Sequence, residues 1–84
     1  MSITQKEADK IVDGIEKELE DVFIDRSNIN FEKAVEIFQY CEKRLSECDV
    51  STQPVQYGYW LHLTRKYKKT IDTATDMLEK YNKS

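Results

Sequence analysis

The sequence predicts an all-α protein, built as an antiparallel helical hairpin with an additional N-terminal helix. This could form a three-helix bundle or an oligomeric helical hairpin. The 84 residues include two Gly and one Pro, which are few breakers for the many turns of a β-protein. Charged residues make up 35% of the chain, and the apolar residues between them recur in steps of three and four, the period of a helix. At this length the chain is expected to form a single domain that buries only roughly 60% of its unfolded surface.

The first helix is predicted over residues 4–23. Thr4 and Glu7 have the spacing of a capping box, in which the hydroxyl and the carboxylate each meet a backbone N–H. Gly14 lies inside the helix at a cost of about 1 kcal/mol relative to Ala, so this helix is expected to be the least stable of the three. Its apolar stripe consists of Ala8, Ile11, Val12, Ile15, Leu19, Val22 and Phe23.

The second helix is predicted over residues 30–48 and follows a polar turn. The turn-forming side chains are Asp25, Ser27, Asn28 and Asn30. Asn30 is the expected N-cap, and Ile29 is expected to pack towards Ala34 as a hydrophobic staple. The heptad-like seam of this helix consists of Phe31, Ala34, Phe38, Cys41, Leu45 and Cys48.

The third helix is predicted over residues 54–82 and begins with Pro54, at the position where a missing N–H matters least. The link before it, residues 49–53, is short, so the second and third helices are expected to be antiparallel neighbours. The first helix must then pack on this hairpin or on another molecule. The seam of the third helix consists of Trp60, Leu63, Tyr67, Ile71, Ala74, Leu78 and Tyr81.

Charge is distributed unevenly along the chain, whose net charge is −3. Residues 1–49 carry thirteen acidic and seven basic side chains, and residues 50–84 carry three acidic and six basic ones. The two halves can neutralise each other within a hairpin, so the imbalance does not require an external polyanion. No targeting segment or membrane span is recognisable, and a cytoplasmic location is expected.

The sequence indicates no enzyme, metal site or cofactor. Cys41 and Cys48 are two helical turns apart, roughly 10 Å, which exceeds the ~7 Å reach of a disulfide; they are predicted to be reduced core residues. His62 has no partner at a spacing that acid–base catalysis or zinc binding would need, and is predicted to be solvated. The acidic side chains of the first helix spread around it instead of converging. They are Glu16, Glu18, Glu20 and Asp21.

A basic run in the third helix suggests nucleic-acid binding as an alternative function, although the acidic character of the whole domain argues against it. Aromatic and cationic side chains together can stack on bases and neutralise phosphates. However, Tyr67 belongs to the seam, and the four cations point to different sides of the helix, so they form no stripe of charge. The alternative nucleic-acid residues are Arg65, Lys66, Lys68 and Lys69.

An aromatic segment opens the third helix and predicts a protein contact, because Tyr and Trp offer large area with few rotatable bonds. One helix cannot easily cover so wide an apolar arc. Two interpretations stay open: a partner protein covers these side chains, or the first helix covers them within the chain. The predicted partner-binding residues are Tyr57, Tyr59, Trp60 and Leu61 of the third helix with Ile37 and Tyr40 of the second.

Residues 43–60, KRLSECDVSTQPVQYGYW, resemble a pattern found in the small helical-hairpin co-chaperones of type III secretion needle subunits. The stretch KELED, residues 17–21, is similar to the Leu-Glu-rich first helix of those proteins. The last helix also ends in a similar way, with LEKYNKS, residues 78–84. The residues that carry the resemblance at its start are Pro54, Gln56 and Tyr57.

This resemblance covers about residues 16–84 and implies a cytoplasmic, non-enzymatic co-chaperone. The protein would bind a larger helical-repeat chaperone, and the pair would keep a needle subunit from polymerising. Residues 1–15 depart from the family as an added helical stretch that could cover the partner-facing surface.

A second resemblance is to the central hairpin of the small terminase subunits of tailed phages. It would imply a ring-forming oligomer that handles DNA. Val55 departs from this pattern, which tends to have Arg after the proline. The residues that carry the resemblance are Arg26, Asn28, Phe31, Pro54 and Leu63.

Overall fold

The computed structural model describes residues 3–25 and 28–83, and these residues form three helices and no strand. Helix α1 spans Gln5–Val22, α2 spans Phe31–Glu47 and α3 spans Pro54–Lys83. The all-α prediction is therefore confirmed. Arg26, which supports the terminase resemblance, and Ser27 of the predicted turn lie outside the described residues.

Both predicted N-caps form. The Thr4 hydroxyl accepts a hydrogen bond from the backbone N–H of Glu7 at 3.1 Å, and the Asn30 side chain accepts one from Lys33 at 2.8 Å. Each cap satisfies one of the N–H groups that the first helical turn leaves without a partner.

The link between α2 and α3 is held by Asp49. Its backbone carbonyl accepts from the N–H groups of Thr52 at 3.2 Å and Gln53 at 2.7 Å, and its carboxylate accepts from Ser51 at 2.9 Å. Pro54 follows as the first residue of α3. This compact turn reverses the chain and brings α3 back along α2.

The three helices form an up-down-up bundle. Tyr40 and Arg44 of α2 both contact Trp60 of α3, with ring centroids 6.0 Å apart and the guanidinium 5.5 Å from the indole ring. On α1, Glu18 contacts Tyr40 and Arg44, whereas Phe23 lies 5.3 Å from the ammonium of Lys33. Because residue numbers rise along α1 as they fall along α2, these two helices are antiparallel. Helix α1 therefore packs on the hairpin of its own chain.

Only part of the predicted seam is buried where the three helices meet, and α2 is rotated relative to the prediction. Ile37, predicted to lie off the seam, is 0% exposed, whereas Phe31, predicted to lie on it, is 42% exposed. The reason is that α2 packs against two helices, so its buried stripe faces the space between them. The buried core consists of Ile15, Leu19, Phe23, Ala34, Ile37, Cys41, Trp60, Leu63 and Tyr67.

Helix α3 is much longer than its neighbours. At 1.5 Å per residue the 17 residues of α2 span about 25 Å and the 30 residues of α3 about 45 Å. Since α2 begins beside the middle of α3, the last part of α3, residues 71–83, projects from the bundle. We call this segment the arm, and it explains the elongated extents of 56 × 25 × 21 Å. The predicted packing of Leu78 and Tyr81 in the hairpin seam is wrong: they are 53% and 81% exposed.

Candidate interaction surfaces

The predicted aromatic contact region contains a polar cluster that ties α1 to the hairpin. The hydroxyl of Tyr40 donates to the carboxylate of Glu18, and Nε of Arg44 lies 3.0 Å from the same carboxylate oxygen. The N–H of Arg44 Nε is not aimed at that oxygen, so this contact is an ion pair without a hydrogen bond. The guanidinium also lies over Trp60, in the geometry of a cation–π contact. The cluster therefore covers Trp60 from within the chain.

This environment shifts two ionisation equilibria. Burial, the hydrogen bond to Glu18 and the negative charge of that carboxylate raise the pKa of Tyr40 to about 12. Burial alone would lower the pKa of Arg44, but Glu18 and Tyr40 favour the charged form and the net effect is to raise it. Tyr40 is thus a stable hydrogen-bond donor and Arg44 a permanent cation at neutral pH.

Tyr59 is held by α1 in the same way. Its hydroxyl donates to Glu16 at 2.6 Å, and its ring lies 5.9 Å from that of His62. His62 is exposed, as predicted. The acidic residues Glu16 and Glu18, expected to be simply solvated, are thus the groups that connect α1 to the two tyrosines.

The six predicted partner-binding residues do not form one open surface. Ile37 and Trp60 are 0% and 1% exposed, so neither side chain is available to a partner. Tyr40 and Tyr59 are half-buried and bonded to α1. These four side chains are therefore engaged within the chain: Glu16 and Glu18 of α1 bond the two tyrosines, whereas Tyr40 and Arg44 of α2 contact Trp60. The signal was available, because Glu16 and Glu18 lie on the two opposite flanks of the α1 stripe, where each can reach a neighbouring helix.

Tyr57 and Leu61 are half-buried, and Tyr57 lies in a groove on another part of the hairpin. The groove is open, has a volume of about 370 Å³ and includes Leu45, Cys48 and Thr64. Nothing in its lining identifies a ligand. Partner binding at Tyr57 and Leu61 stays a prediction.

The basic run lies on the surface of the bundle. Its cations are exposed, but Tyr67 is 4% exposed and packs in the core. Tyr67 therefore offers no face for stacking on a base, as the sequence predicted, and nucleic-acid binding by the basic run stays a prediction. The residues of this run are Arg65, Lys66, Lys68 and Lys69.

The two cysteines are not joined in a disulfide, as the sequence predicted, and Cys41 is buried whereas Cys48 is half-buried. Within residues 3–25 and 28–83, no group of three or more His, Cys, Asp or Glu side chains could hold a metal ion.

One exposed apolar surface was not predicted by the aromatic pattern. We call it the end surface: it combines the arm with the end of the bundle from which the arm projects. At that end α1 stops and α2 starts, so their exposed apolar residues lie beside the base of the arm. The members of the end surface are Val22, Ile24, Ile29 and Phe31 of the bundle and Ile71, Ala74, Met77, Leu78 and Tyr81 of the arm.

One side of the arm carries no charged residue. At 100° per residue, a sector of roughly 140° runs from Met77 to Asn82. The members of this sector are Thr70, Ile71, Ala74, Met77, Leu78, Tyr81 and Asn82. Charged positions of the arm and its base fall on the opposite side: Lys69, Asp72, Asp76, Glu79 and Lys80. The sector continues the line of Tyr67 in the core, so the arm extends the core stripe of α3 beyond the helices that cover it.

The sequence contained a sign of this surface. The predicted helices 30–48 and 54–82 differ by ten residues, and the short link places the end of the first beside the start of the second. The longer helix must then project from the hairpin with its seam uncovered.

No protein-family profile, curated protein or solved structure matches the chain. In the part of the chain that the structure describes, none of the helices has the length and apolar character needed to cross a membrane.

Proposed function

We propose that this chain is a non-enzymatic helical protein-interaction module and that the end surface is its contact site. The observation that carries the proposal is the uncovered apolar side of the arm. Leu78 is 53% exposed, Met77 66% and Tyr81 81%, and all three lie in the sector without charge. Interface cores are depleted in charged residues and enriched in Tyr and Met, which is the composition of this sector.

The shape of the arm favours a helical partner. A straight amphipathic helix buries its apolar side best against another helix, with the side chains of one fitting between those of the other. An open groove of about 410 Å³ follows the arm along Thr70, Thr73, Ala74 and Met77, and Lys69 also lines it. The small side chains of Ala74 and the threonines allow a partner helix to approach closely.

The resemblance to needle-subunit co-chaperones supplies a finer version of the proposal. In that version the partner is a larger helical-repeat chaperone, and the two proteins together keep a needle subunit unpolymerised in the cytoplasm. The support is the similarity over residues 16–84, together with a surface suited to a helical partner. Because Trp60 and Ile37 are already buried in the bundle, the contact is moved from the predicted aromatic segment to the arm.

The proposal is tested with two variants that make the same change at opposite ends of the molecule. Leu78→Asp places a charge in the sector without charge, and Val50→Asp places one in the link between α2 and α3, at a residue that is 58% exposed. Proteins retained by the tagged wild-type chain in a lysate of its natural host are identified by mass spectrometry, purified and titrated calorimetrically. We expect Leu78→Asp to raise the Kd at least about tenfold and Val50→Asp to leave it unchanged.

The salt dependence of the same titration distinguishes this function from nucleic-acid binding. Affinity through an apolar face should change little with salt, whereas affinity for duplex DNA through the basic run would fall steeply as salt rises. A Kd that is unaffected by Leu78→Asp would show that the arm is not the contact site.

A further inference from the structure

The chain exposes more surface than a monomer of its size needs. Its accessible surface is 6472 Å², whereas a compact monomer of 10.0 kDa is expected to expose about 5,200 Å². The radius of gyration is 15.2 Å, compared with about 12 Å for a compact domain of this length. The excess of about 1,200 Å² exceeds the ~800 Å² that each partner buries in a standard protein interface. The surface available is therefore enough for a stable complex.

We propose that the partner at the end surface is a second copy of this chain, with the two arms packed antiparallel about a two-fold axis. This inference rests on the proposed function and names its partner. Two copies present identical surfaces to each other, so a charge in the contact region would lie close to its own equivalent. The arm has no charge in its apolar sector, and self-association therefore meets no repulsion there.

The course of α3 selects the antiparallel arrangement. The apolar side of the arm continues the same stripe that packs on α1 and α2 in the bundle. In a parallel pair, the α1 and α2 helices of both copies would have to occupy the space between the two α3 helices. In an antiparallel pair, the partner's arm occupies the empty space beyond the ends of α1 and α2. The tip of the partner's arm then reaches the apolar end of the first copy's bundle, at Ile24, Ile29 and Phe31.

The heptad positions of the arm also fit this arrangement. Ile71 and Leu78 take position a, and Ala74 and Tyr81 take position d. In an antiparallel pair each a residue faces a d residue, which places Ile71 opposite Tyr81 and Ala74 opposite Leu78. A small residue then faces a large one in the central layers, so the side chains interdigitate.

The experiment is sedimentation equilibrium of the full chain, from micromolar to near-millimolar concentration. We expect a reversible dimer of twice the chain mass of 10.0 kDa. Leu78→Asp should raise the dimer Kd at least about tenfold. Val50→Asp should not change the dimer Kd, and circular dichroism should show that both variants keep the wild-type helix content.

The antiparallel orientation is tested by cross-linking in a Cys48→Ser background. The double variant Ile71→Cys/Tyr81→Cys should form a disulfide-linked dimer on mild oxidation, because the two positions face each other across the interface. Each single variant places its thiols far apart and should remain uncross-linked. Efficient cross-linking of a single variant would indicate parallel arms and overturn the arrangement.

A chain that stays monomeric over the whole concentration range, or that forms a larger ring, overturns the inference. If the chain is monomeric but binds a different protein, and Leu78→Asp weakens that binding, the proposed function stands. Only the proposal that the partner is a second copy is then wrong. If Leu78→Asp alters neither self-association nor any other binding, both proposals fail.

Discussion

Helix α3 belongs to two regions that use the same pattern of residues with opposite results. Between Trp60 and Tyr67, apolar side chains at steps of three and four are at most 4% exposed. Between Ile71 and Tyr81 the same steps continue, yet exposure rises to 81% at the last position. The difference lies in the neighbours and not in the helix itself: α2 begins at Phe31 and has no residues left to cover the arm. A hydrophobic stripe indicates that a surface needs a cover but does not indicate which molecule provides it.

The sharpest way to separate the two regions is to remove the same side chain from each. Leu19→Ala empties a fully buried position and should lower the free energy of unfolding by about 2–5 kcal/mol. Leu78→Ala in the arm should change it by no more than about 0.5 kcal/mol. Urea unfolding at low protein concentration, where the chain is monomeric, measures both. Equal losses at the two positions would mean that the arm is packed within the chain.

A smaller effect is expected from the polar cluster that joins α1 to the hairpin. Glu18→Gln removes the charge that pairs with Arg44 and weakens the acceptor for Tyr40, and should cost about 1–2 kcal/mol. The pair is partly exposed, with 38% and 30% of the side chains accessible, so solvent screening limits the loss. Glu79→Gln in the arm is the matched change at an exposed residue, and thermal unfolding of the two variants should differ clearly. Similar melting temperatures would show that the cluster adds no stability.

Alkaline pH should weaken the bundle through Tyr40. Its pKa is raised from 10.0 to about 12 in the folded chain, so the folded state holds this proton more tightly than the unfolded state. The stabilisation is complete below pH 10 and is lost as the pH rises from 10 to 12. Tyr40→Phe keeps the ring but removes the proton, and should reduce the fall in unfolding free energy over this range. Urea unfolding of the wild type and of Tyr40→Phe at several pH values between about 9 and 12 measures this, and an unchanged pH dependence in Tyr40→Phe would contradict it.

The smallest effect is an increase in stability. Gly14 and Gly58 lie within helices, and a methyl group added at either would meet no atom within 4 Å. Neither has a positive φ, so Ala fits the same backbone. Gly14→Ala and Gly58→Ala should each raise the free energy of unfolding by about 0.5–1 kcal/mol, measured by urea unfolding. Because both sites are in the bundle, hydrogen exchange at the tip of the arm should stay as fast as in the wild type, and slower exchange there would contradict an independent arm.

Helix positions and caps could be predicted because they depend on neighbours in sequence. Thr4, Asn30 and Pro54 act within one helical turn of their own position, where spacing alone carries the information. The rotation of α2 could not be predicted, since it depends on where α1 docks. That docking depends on the hydrogen bonds from Tyr40 and Tyr59 to α1 and on the packing around Trp60. The spacing of residues along one sequence does not give the distances between helices.

The candidate site also combines features that could be predicted from the sequence with features that could not. The aromatic segment was recognised from composition. Composition does not distinguish a side chain that is exposed for a partner from one that is buried within its own chain. The arm could have been found by comparing helix lengths, which needs only the predicted boundaries. Which partner binds the arm depends on the surface of another molecule. On that point the sequence gives one indication, the absence of charged residues from the apolar sector of the arm.

The positions of the two thiols give the molecule a pair of natural labelling sites. Cys41 is fully enclosed between the helices, so a thiol reagent should reach it only when the bundle opens. Cys48 is partly accessible at the turn between α2 and α3, the end farthest from the arm. A fluorophore attached there would lie far from the arm, and energy transfer between two labelled chains would report whether their turns point in opposite directions.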